Sequence, residues 1–159
     1  MKRVFHSNSL NVTFDDAQFF SIVKKHLKRT STETGGILCG KYSKDLVEAE
    51  ITEVYGPTSD SKFGRCSFVR GTRGLSQRLD KLWRKGIYYV GEWHLHPYFS
   101  ANPSFQDKAQ IIQNSNDDNL KCPEPVMIIV GMEREQFIFK VFAVVDSEMI
   151  ELHEVGGKN

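Results

Sequence analysis

Two histidines close a β-rich segment of the chain, which runs Ile87-Tyr88-Tyr89-Val90-Gly91-Glu92-Trp93-His94-Leu95-His96-Pro97. Its β-branched and aromatic residues predict a strand, and Pro97 predicts where that strand ends. In a strand, His94 and His96 point to the same face, about 7 Å apart along the chain, whereas on a helix they would diverge. Two imidazoles on one face can converge on a single metal ion.

A helix start further along the chain supplies a carboxylate that could complete such a site. Ser104-Phe105-Gln106-Asp107 follows Pro103, and a serine with a carboxylate three residues later is a capping box, which predicts the beginning of a helix. Asp107 can therefore be a helix cap, or it can be a third ligand beside the two histidines. Two histidines and a carboxylate leave one coordination position open for water, which is typical of a catalytic zinc site.

A hydrolytic metal site also needs a group that takes a proton from water and returns it to the leaving group. Two glutamates are candidates for this role. Glu33 lies just before a glycine-rich segment at 35–40, and Glu92 shares the face of His94 and His96 if the strand is regular. Glu92 can thus be a rival base or a hydrogen-bond partner of a histidine ligand. Geometry inferred from the sequence does not separate the two glutamates.

Patterns along the rest of the chain predict interleaved strands and helices. Strands are predicted at 11–14, 35–40, 46–55, 66–69, 87–96, 125–131, 136–145 and 149–153. Helices are predicted from Asp15 or Asp16 to Leu27, over 72–85 with Gly86 as the stop, and from 103 to about 114. Residues 156–159 are expected to be a frayed tail. The simplest arrangement is an α+β fold, a mixed sheet flanked by helices in a single domain spanning residues 1–159.

The composition is that of one globular domain. The chain has 159 residues, of which 40% are hydrophobic and 26% charged, and its net charge is +1. No apolar run approaches the roughly 20 residues that cross a bilayer, and the basic start turns polar at Ser7, so we expect a cytoplasmic protein without a membrane partner. The small net charge gives no reason to expect a nucleic-acid partner. Three widely spaced cysteines argue against a disulfide framework and against a four-cysteine zinc site.

A basic surface is predicted around the second helix. Its cations fall at helical spacing on the side opposite three leucines, namely Arg70, Arg73, Lys81 and Arg84 against Leu75, Leu79 and Leu82. This pattern is that of an amphipathic helix with a solvated face. It can also be a docking surface for an acidic partner.

The candidate residues together resemble a known family. A glutamate followed by H-x-H-x7-S-x2-D is the signature of the JAMM or MPN-plus metallopeptidases, and it is matched by Glu33, His94, His96, Ser104 and Asp107. The segments 33–38 and 91–94 resemble, more narrowly, the stand-alone prokaryotic members found with CBASS anti-phage operons. The resemblance covers essentially the whole chain. It implies a mostly antiparallel, curved sheet flanked by helices, distantly like that of the cytidine deaminases.

The resemblance also implies roles for the matched residues. His94, His96 and Asp107 would hold one zinc ion per chain, Glu33 would transfer the protons, and Ser104 would stabilise the oxyanion. The family hydrolyses amide or isopeptide bonds at the C-terminus of ubiquitin-like tags. In the CBASS-type relatives, the implied partner is a protein conjugate of the cyclic-oligonucleotide synthase. Many relatives carry Ser or Thr between the histidines, where this chain has a leucine whose side chain is expected to face away from the metal.

Three alternatives stay open. One is a JAMM hydrolase that acts on a sulfur-carrier protein or a ubiquitin-like precursor by the same chemistry. Another is a metal-free MPN scaffold that binds partners without catalysis, although such scaffolds lose ligands and none is lost here. The third is a nucleobase deaminase, which would need H-x-E with a P-C-x-x-C pair, and this chain has no C-x-x-C.

Overall fold

Eight strands of the computed structural model form one closed barrel, and two further strands form a short hairpin. The structure describes residues 1–27 and 31–156. The strands in this part of the chain are β1 Lys2–His6, β2 Asn11–Asp15, β3 Thr34–Tyr42, β4 Glu48–Val54, β5 Lys62–Phe63, β6 Phe68–Val69, β7 Tyr88–Leu95, β8 Val126–Glu133, β9 Gln136–Val145 and β10 Glu148–Glu154. Its helices are α1 Asp16–His26, α2 Leu75–Trp83 and α3 Phe105–Ser115.

The sheet is mixed, as the sequence patterns predict, and mostly antiparallel, as the family resemblance implies. Its strand order is β1-β10-β9-β8-β7-β3-β4-β2, and β2 pairs back with β1. Among the strand pairs described for the barrel, β2 with β4 and β7 with β8 are parallel, and the others are antiparallel.

Closure of the sheet into a barrel corrects the expectation of a curved sheet flanked by helices. The strand that closes it is β1, which pairs with both β2 and β10. Local patterns did not predict β1 because Lys2, Arg3 and His6 interrupt its apolar residues. Arg3 is held instead by a partner at the far end of the chain, since its Nε donates to Glu154 Oε1 at 2.7 Å.

The polar residues of β7 lie between two apolar layers on the outside of the barrel. The barrel interior is one apolar cluster, into which α1 packs Phe19 and Val23. Outside it, α2 packs against residues of β3 such as Ile37, and α3 packs Ile111 against residues of β8 such as Ile129. Because β7 lies between β3 and β8 in the sheet, its outward side chains lie between these two layers.

The second helix begins later than predicted. Gly74 precedes α2 in the left-handed region, with a φ of 73°, so Arg70 and Arg73 lie before the helix rather than on its basic face. Gly86, with a φ of +69°, follows the helix end as predicted. Most of the predicted tail lies outside the described residues. Within the described ranges, every helix is too short or too polar to span a membrane.

Candidate metal centre

The strand β7 presents its histidines outward because of a bulge near its middle. The pairing of β7 with β3 skips one residue at Val90, and such a bulge shifts the side chains beyond it to the opposite faces. Trp93 and Leu95 consequently pack in the barrel interior. His94 and His96 therefore share the outer face, as the predicted strand required, and the leucine between them faces away, as expected.

A glycine on the neighbouring strand makes room for the His94 ring. Gly35 pairs with His94, and a Cβ at Gly35 would lie 2.3 Å from the Trp93 carbonyl oxygen and 2.9 Å from His94 Cδ2. Phe68, in the hairpin of β5 and β6, packs edge-on against the imidazole with 5.4 Å between ring centroids. The backbone of β3 and the hairpin together hold the ring in place.

Asp107 reaches the histidines from the first turn of α3. Ser104 Oγ accepts a hydrogen bond from the Asp107 backbone N–H at 3.0 Å, and Asp107 Oδ2 accepts one from the Ser104 N–H at 2.7 Å. The predicted capping box is therefore present. The same carboxylate lies 2.7 Å from His94 Nδ1 through Oδ1 and 3.3 Å from His96 Nε2 through Oδ2. Asp107 is thus a helix cap and also a neighbour of both histidines.

The three side chains form a donor set that fits a metal ion. His94, His96 and Asp107 are all buried, and one ligand atom from each lies within 4.8 Å of the others. Among the residues described, His96 Nε2 has no hydrogen-bond partner although it is buried. Buried polar atoms normally have partners, so an unpartnered ring nitrogen beside a carboxylate fits a metal ligand. Two histidines and one carboxylate are also the protein ligands of many catalytic zinc sites.

The charges around His94 favour a cation. Burial by itself lowers the pKa of His94, but the hydrogen bond with Asp107 and the charge of Glu92 raise it to about 9. Burial by itself raises the pKa of Asp107, yet its hydrogen bond with His94 and the nearby ring of His96 hold that pKa well below its usual range. A proton and a metal ion compete for such ligands, because both bind the same lone pairs.

Glu33 lies immediately before β3 and beside the histidines. Its backbone N–H donates to the Gly64 carbonyl in the hairpin turn at 2.8 Å, and its Oε1 lies 3.9 Å from His96 Nε2. The residue is only 6% exposed. Burial raises the pKa of Glu33 even though the two histidines oppose the shift. A carboxyl group with a raised pKa suits the transfer of a proton near neutral pH.

Glu92 faces the histidines' side of the strand but belongs to a buried polar network. Its Oε1 accepts hydrogen bonds from Arg70 Nε at 2.6 Å, from Asn114 Nδ2 at 2.8 Å and from the Tyr89 hydroxyl at 3.3 Å. Its Oε2 faces His94 Nε2 at 3.6 Å. Burial raises the pKa of Glu92, but His94 and Arg70 outweigh this effect and lower it. These contacts favour a role in orienting His94 over a role in carrying protons to a substrate.

Three members of this network, Arg70, Asn114 and Tyr89, were not predicted as site residues. The sequence pattern placed Arg70 on a solvated face, whereas its side chain is 11% exposed and pairs with Glu92. Asn114, near the end of α3, is buried as well. The signal that pointed toward Arg70 was Glu92 itself, because a carboxylate on a buried strand needs a cation or donors beside it. Local patterns do not show which cation that is.

The fold and the site define an α+β domain with a two-histidine, one-carboxylate centre where β7 meets the start of α3. The family described as prokaryotic homologs of the JAB domain matches residues 16–141, and the chain belongs to this family. The resemblance to stand-alone prokaryotic JAMM proteins is thereby confirmed.

Two curated relatives carry the name CD-NTase/cGAS isopeptidase. The chain is 46% identical over 110 residues to the one from Enterobacter hormaechei subsp. hoffmannii (strain UCI 50), covering 69% of this chain and 61% of that protein. It is 34% identical over 107 residues to the one from Escherichia coli (strain TW11681), covering 64% of each. The chain spans less than two thirds of the length of these relatives.

The fold also occurs among solved structures. The solution structure of protein DSY2949 from Desulfitobacterium hafniense matches with a TM-score of 0.64 and 19% identity, covering 88% of both chains. At this identity the match shows a shared fold alone.

Proposed function

We propose that this protein is a zinc-dependent isopeptidase that releases a CD-NTase, the cyclic-oligonucleotide synthase of CBASS defence, from conjugates formed through its C-terminus. The observation that carries the proposal is the convergence of His94, His96 and Asp107 in one buried cluster. Glu33 lies beside this cluster, with its Oε1 3.9 Å from His96 Nε2. Membership of the JAB-domain family and the names of the two relatives support the reaction and the substrate.

The three ligands and Glu33 have separate parts in the reaction. Zinc held by His94, His96 and Asp107 would supply a Lewis acid, and such an ion lowers the pKa of water toward about 7. Glu33 accepts a proton from the attacking water as the oxygen–carbon bond forms. It then gives this proton to the departing nitrogen as the carbon–nitrogen bond breaks, so a carboxyl and an amine leave and Glu33 is ionised again.

Ser104 can be the N-cap of α3 and also a hydrogen-bond donor to the substrate. Its Oγ accepts a hydrogen bond from the Asp107 backbone at 3.0 Å, so the hydroxyl hydrogen remains for donation to another acceptor. Ser104 is exposed whereas Asp107 is buried, so a substrate could reach Ser104 from the solvent. Its hydroxyl can then donate to the substrate carbonyl oxygen as negative charge develops on it.

Glu33 is the better candidate for the base than Glu92. The raised pKa of Glu33 favours proton uptake, whereas the lowered pKa of Glu92 and its ion pair with Arg70 oppose it. Glu92 is also 0% exposed, so a substrate would have no direct contact with it.

The test is cleavage of a CD-NTase that is fused or conjugated through its C-terminus to a reporter protein, followed on a gel. Glu33→Gln keeps the shape of the side chain and all three ligands but removes the base. We expect normal folding, normal zinc content and a loss of activity of at least about 10²–10⁴-fold. Wild-type activity should disappear with a chelator and return with added zinc.

Glu92→Gln, assayed at saturating zinc, is the matched control and should retain far more activity than Glu33→Gln. If Glu33→Gln cleaves at the wild-type rate while Glu92→Gln is inactive, Glu92 is the base. If the protein cleaves a sulfur-carrier fusion in preference to a CD-NTase fusion, the proposed reaction stands and the proposed substrate is wrong. If the wild type cleaves no conjugate at all, the protein is a binding scaffold and the proposal is wrong.

A further inference from the structure

Arg70 is a largely buried cation that pairs with Glu92, the carboxylate next to His94. Its Nε donates to Glu92 Oε1 at 2.6 Å, and the two side chains are 11% and 1% exposed. Its guanidinium also donates to the Gly71 carbonyl at 3.1 Å, which fixes it to its own loop. A buried ion pair contributes little net stability, because loss of hydration offsets the attraction of the two charges. The position of this pair beside a histidine of the site points to a further role.

The loop that carries Arg70 is anchored on both sides of the residue. After it, the Asp60 carboxylate accepts a hydrogen bond from the Thr72 backbone N–H at 3.0 Å. Before it, the ring of Phe68 packs on the ring of His94. The guanidinium is therefore presented to Glu92 by a segment that also contacts the histidine.

The contacts of Glu92 dictate which of its oxygens faces His94. Its Oε1 is occupied by the three donors described above. Its Oε2 has no hydrogen-bond partner in the described parts of the chain and lies 3.6 Å from His94 Nε2. An acceptor at this place favours the proton on Nε2. Asp107 Oδ1, 2.7 Å from Nδ1, competes for the ring proton as long as Nδ1 binds no ion. When Nδ1 gives its lone pair to an ion, Glu92 Oε2 is the acceptor left to hold the proton on Nε2.

We propose that Arg70 is a positioning residue for the metal centre, which acts through Glu92 to hold His94 in the ring orientation and tautomer that can bind the ion. This inference rests on the proposed zinc site. Arg70 itself contacts neither the ion nor the substrate. Hydrogen-bond partners of this kind typically change metal affinity by about 10–100-fold when they are removed.

Two substitutions separate this role from a purely structural one. Arg70→Met fills similar space but leaves Glu92 without its cation and free to turn. Glu92→Gln keeps the shape of the side chain, and the three donors should hold its amide oxygen in the place of Oε1. Its NH₂ group then faces His94 Nε2 and drives the proton to Nδ1, the nitrogen that the ion needs.

The experiment measures zinc affinity by competition with a chromogenic chelator. We expect Arg70→Met and Glu92→Gln to bind zinc about 10–100-fold more weakly than the wild type. Arg70→Lys retains a charge and should fall between them and the wild type. Arg73→Met is the matched control, because Arg73 lies on the same loop and is exposed, and it should bind zinc as the wild type does. The visible spectrum of the cobalt-substituted protein should change in Arg70→Lys and stay unchanged in the control.

The outcomes distinguish this inference from the proposed function. If Arg70→Met, or Arg70→Lys where the methionine variant does not fold, binds zinc with wild-type affinity as Glu92→Gln does, the pair is structural and the inference is wrong, even with lowered melting temperatures. If the wild type binds zinc and these variants bind it weakly, the inference holds whatever the substrate proves to be. If the wild type binds no zinc, the proposed metal site fails and the inference fails with it.

Discussion

Ser104→Ala is expected to lower stability slightly and turnover greatly. The substitution removes the Oγ that accepts the Asp107 backbone N–H at 3.0 Å. The residue is exposed, so no cavity forms, and the hydrogen bond from the Ser104 backbone to Asp107 Oδ2 at 2.7 Å does not need the side chain. Loss of an N-cap costs about 0.5–2 kcal/mol of unfolding free energy, and we expect about 1 kcal/mol here. For a chain of this size that is a fall of roughly 2–4 °C in melting temperature.

The effect on catalysis should be larger than the effect on stability. It concerns the hydrogen bond that the Ser104 hydroxyl would donate to the substrate, and not the one that its Oγ accepts from Asp107. Removing a donor to a developing oxyanion costs about 10²–10³-fold in turnover. A protein of ordinary stability that loses about 1 kcal/mol remains almost entirely folded, so unfolding cannot account for such a loss. The two effects are separated by urea unfolding of the variant and by conjugate cleavage at saturating zinc.

Asp15→Ala provides the matched control for the cap. Asp15 is the N-cap of α1 and its Oδ1 accepts the Gln18 backbone N–H at 2.9 Å. This variant should lose stability by a similar amount and keep its turnover. If Ser104→Ala also keeps its turnover, the serine is a cap without a catalytic part. If neither its stability nor its turnover changes, the assigned role of Ser104 is wrong in both respects.

Three further predictions concern the surroundings of the site. Protons compete with zinc for His94, whose pKa is raised to about 9. Calorimetry of the metal-depleted protein should therefore show a zinc affinity that rises with pH up to about that value. A zinc affinity that does not change with pH would contradict this prediction. Gly35→Ala should lower both stability and zinc content, because its Cβ would lie 2.3 Å from the Trp93 carbonyl oxygen. A stable variant that contains as much zinc as the wild type would refute this prediction. Hydrogen bonds from the Thr72 backbone and the Thr58 side chain lower the pKa of Asp60 to about 2. The stability that Asp60 contributes is therefore complete above its usual pKa of 3.8 and lost as the pH falls through about 2, and melting curves of Asp60→Asn should lack this acid dependence.

Much of the candidate site could be predicted because its residues are set by local patterns. Alternation in β7 places His94 and His96 on one face, and the capping box places Asp107 in the first turn of a helix. Both features depend on residues close together in sequence, and the periodicity of a strand and the geometry of a helix start are known in advance. The sequence did not show that the cap and the ligand position coincide in one carboxylate.

The features that were missed depend on partners far apart in sequence. The side chain of Arg70 is only 11% exposed because Glu92 lies beside it, although the neighbouring residues in sequence have the pattern of a basic surface. Closure of the barrel depends on β1 pairing with β10, where Phe5 lies opposite Glu154. Such pairings depend on packing in three dimensions. The residue pattern of a strand as short as β1, which has five residues, therefore does not predict them.

The most direct test of the account is the zinc content of the purified protein. The wild type should contain one zinc ion per chain, bound by His94, His96 and Asp107. The double variant His94→Ala/His96→Ala should fold, because both positions lie outside the barrel interior, and should contain almost none. Equal zinc content in the two proteins would contradict the assignment of the metal centre, and with it the proposed hydrolysis.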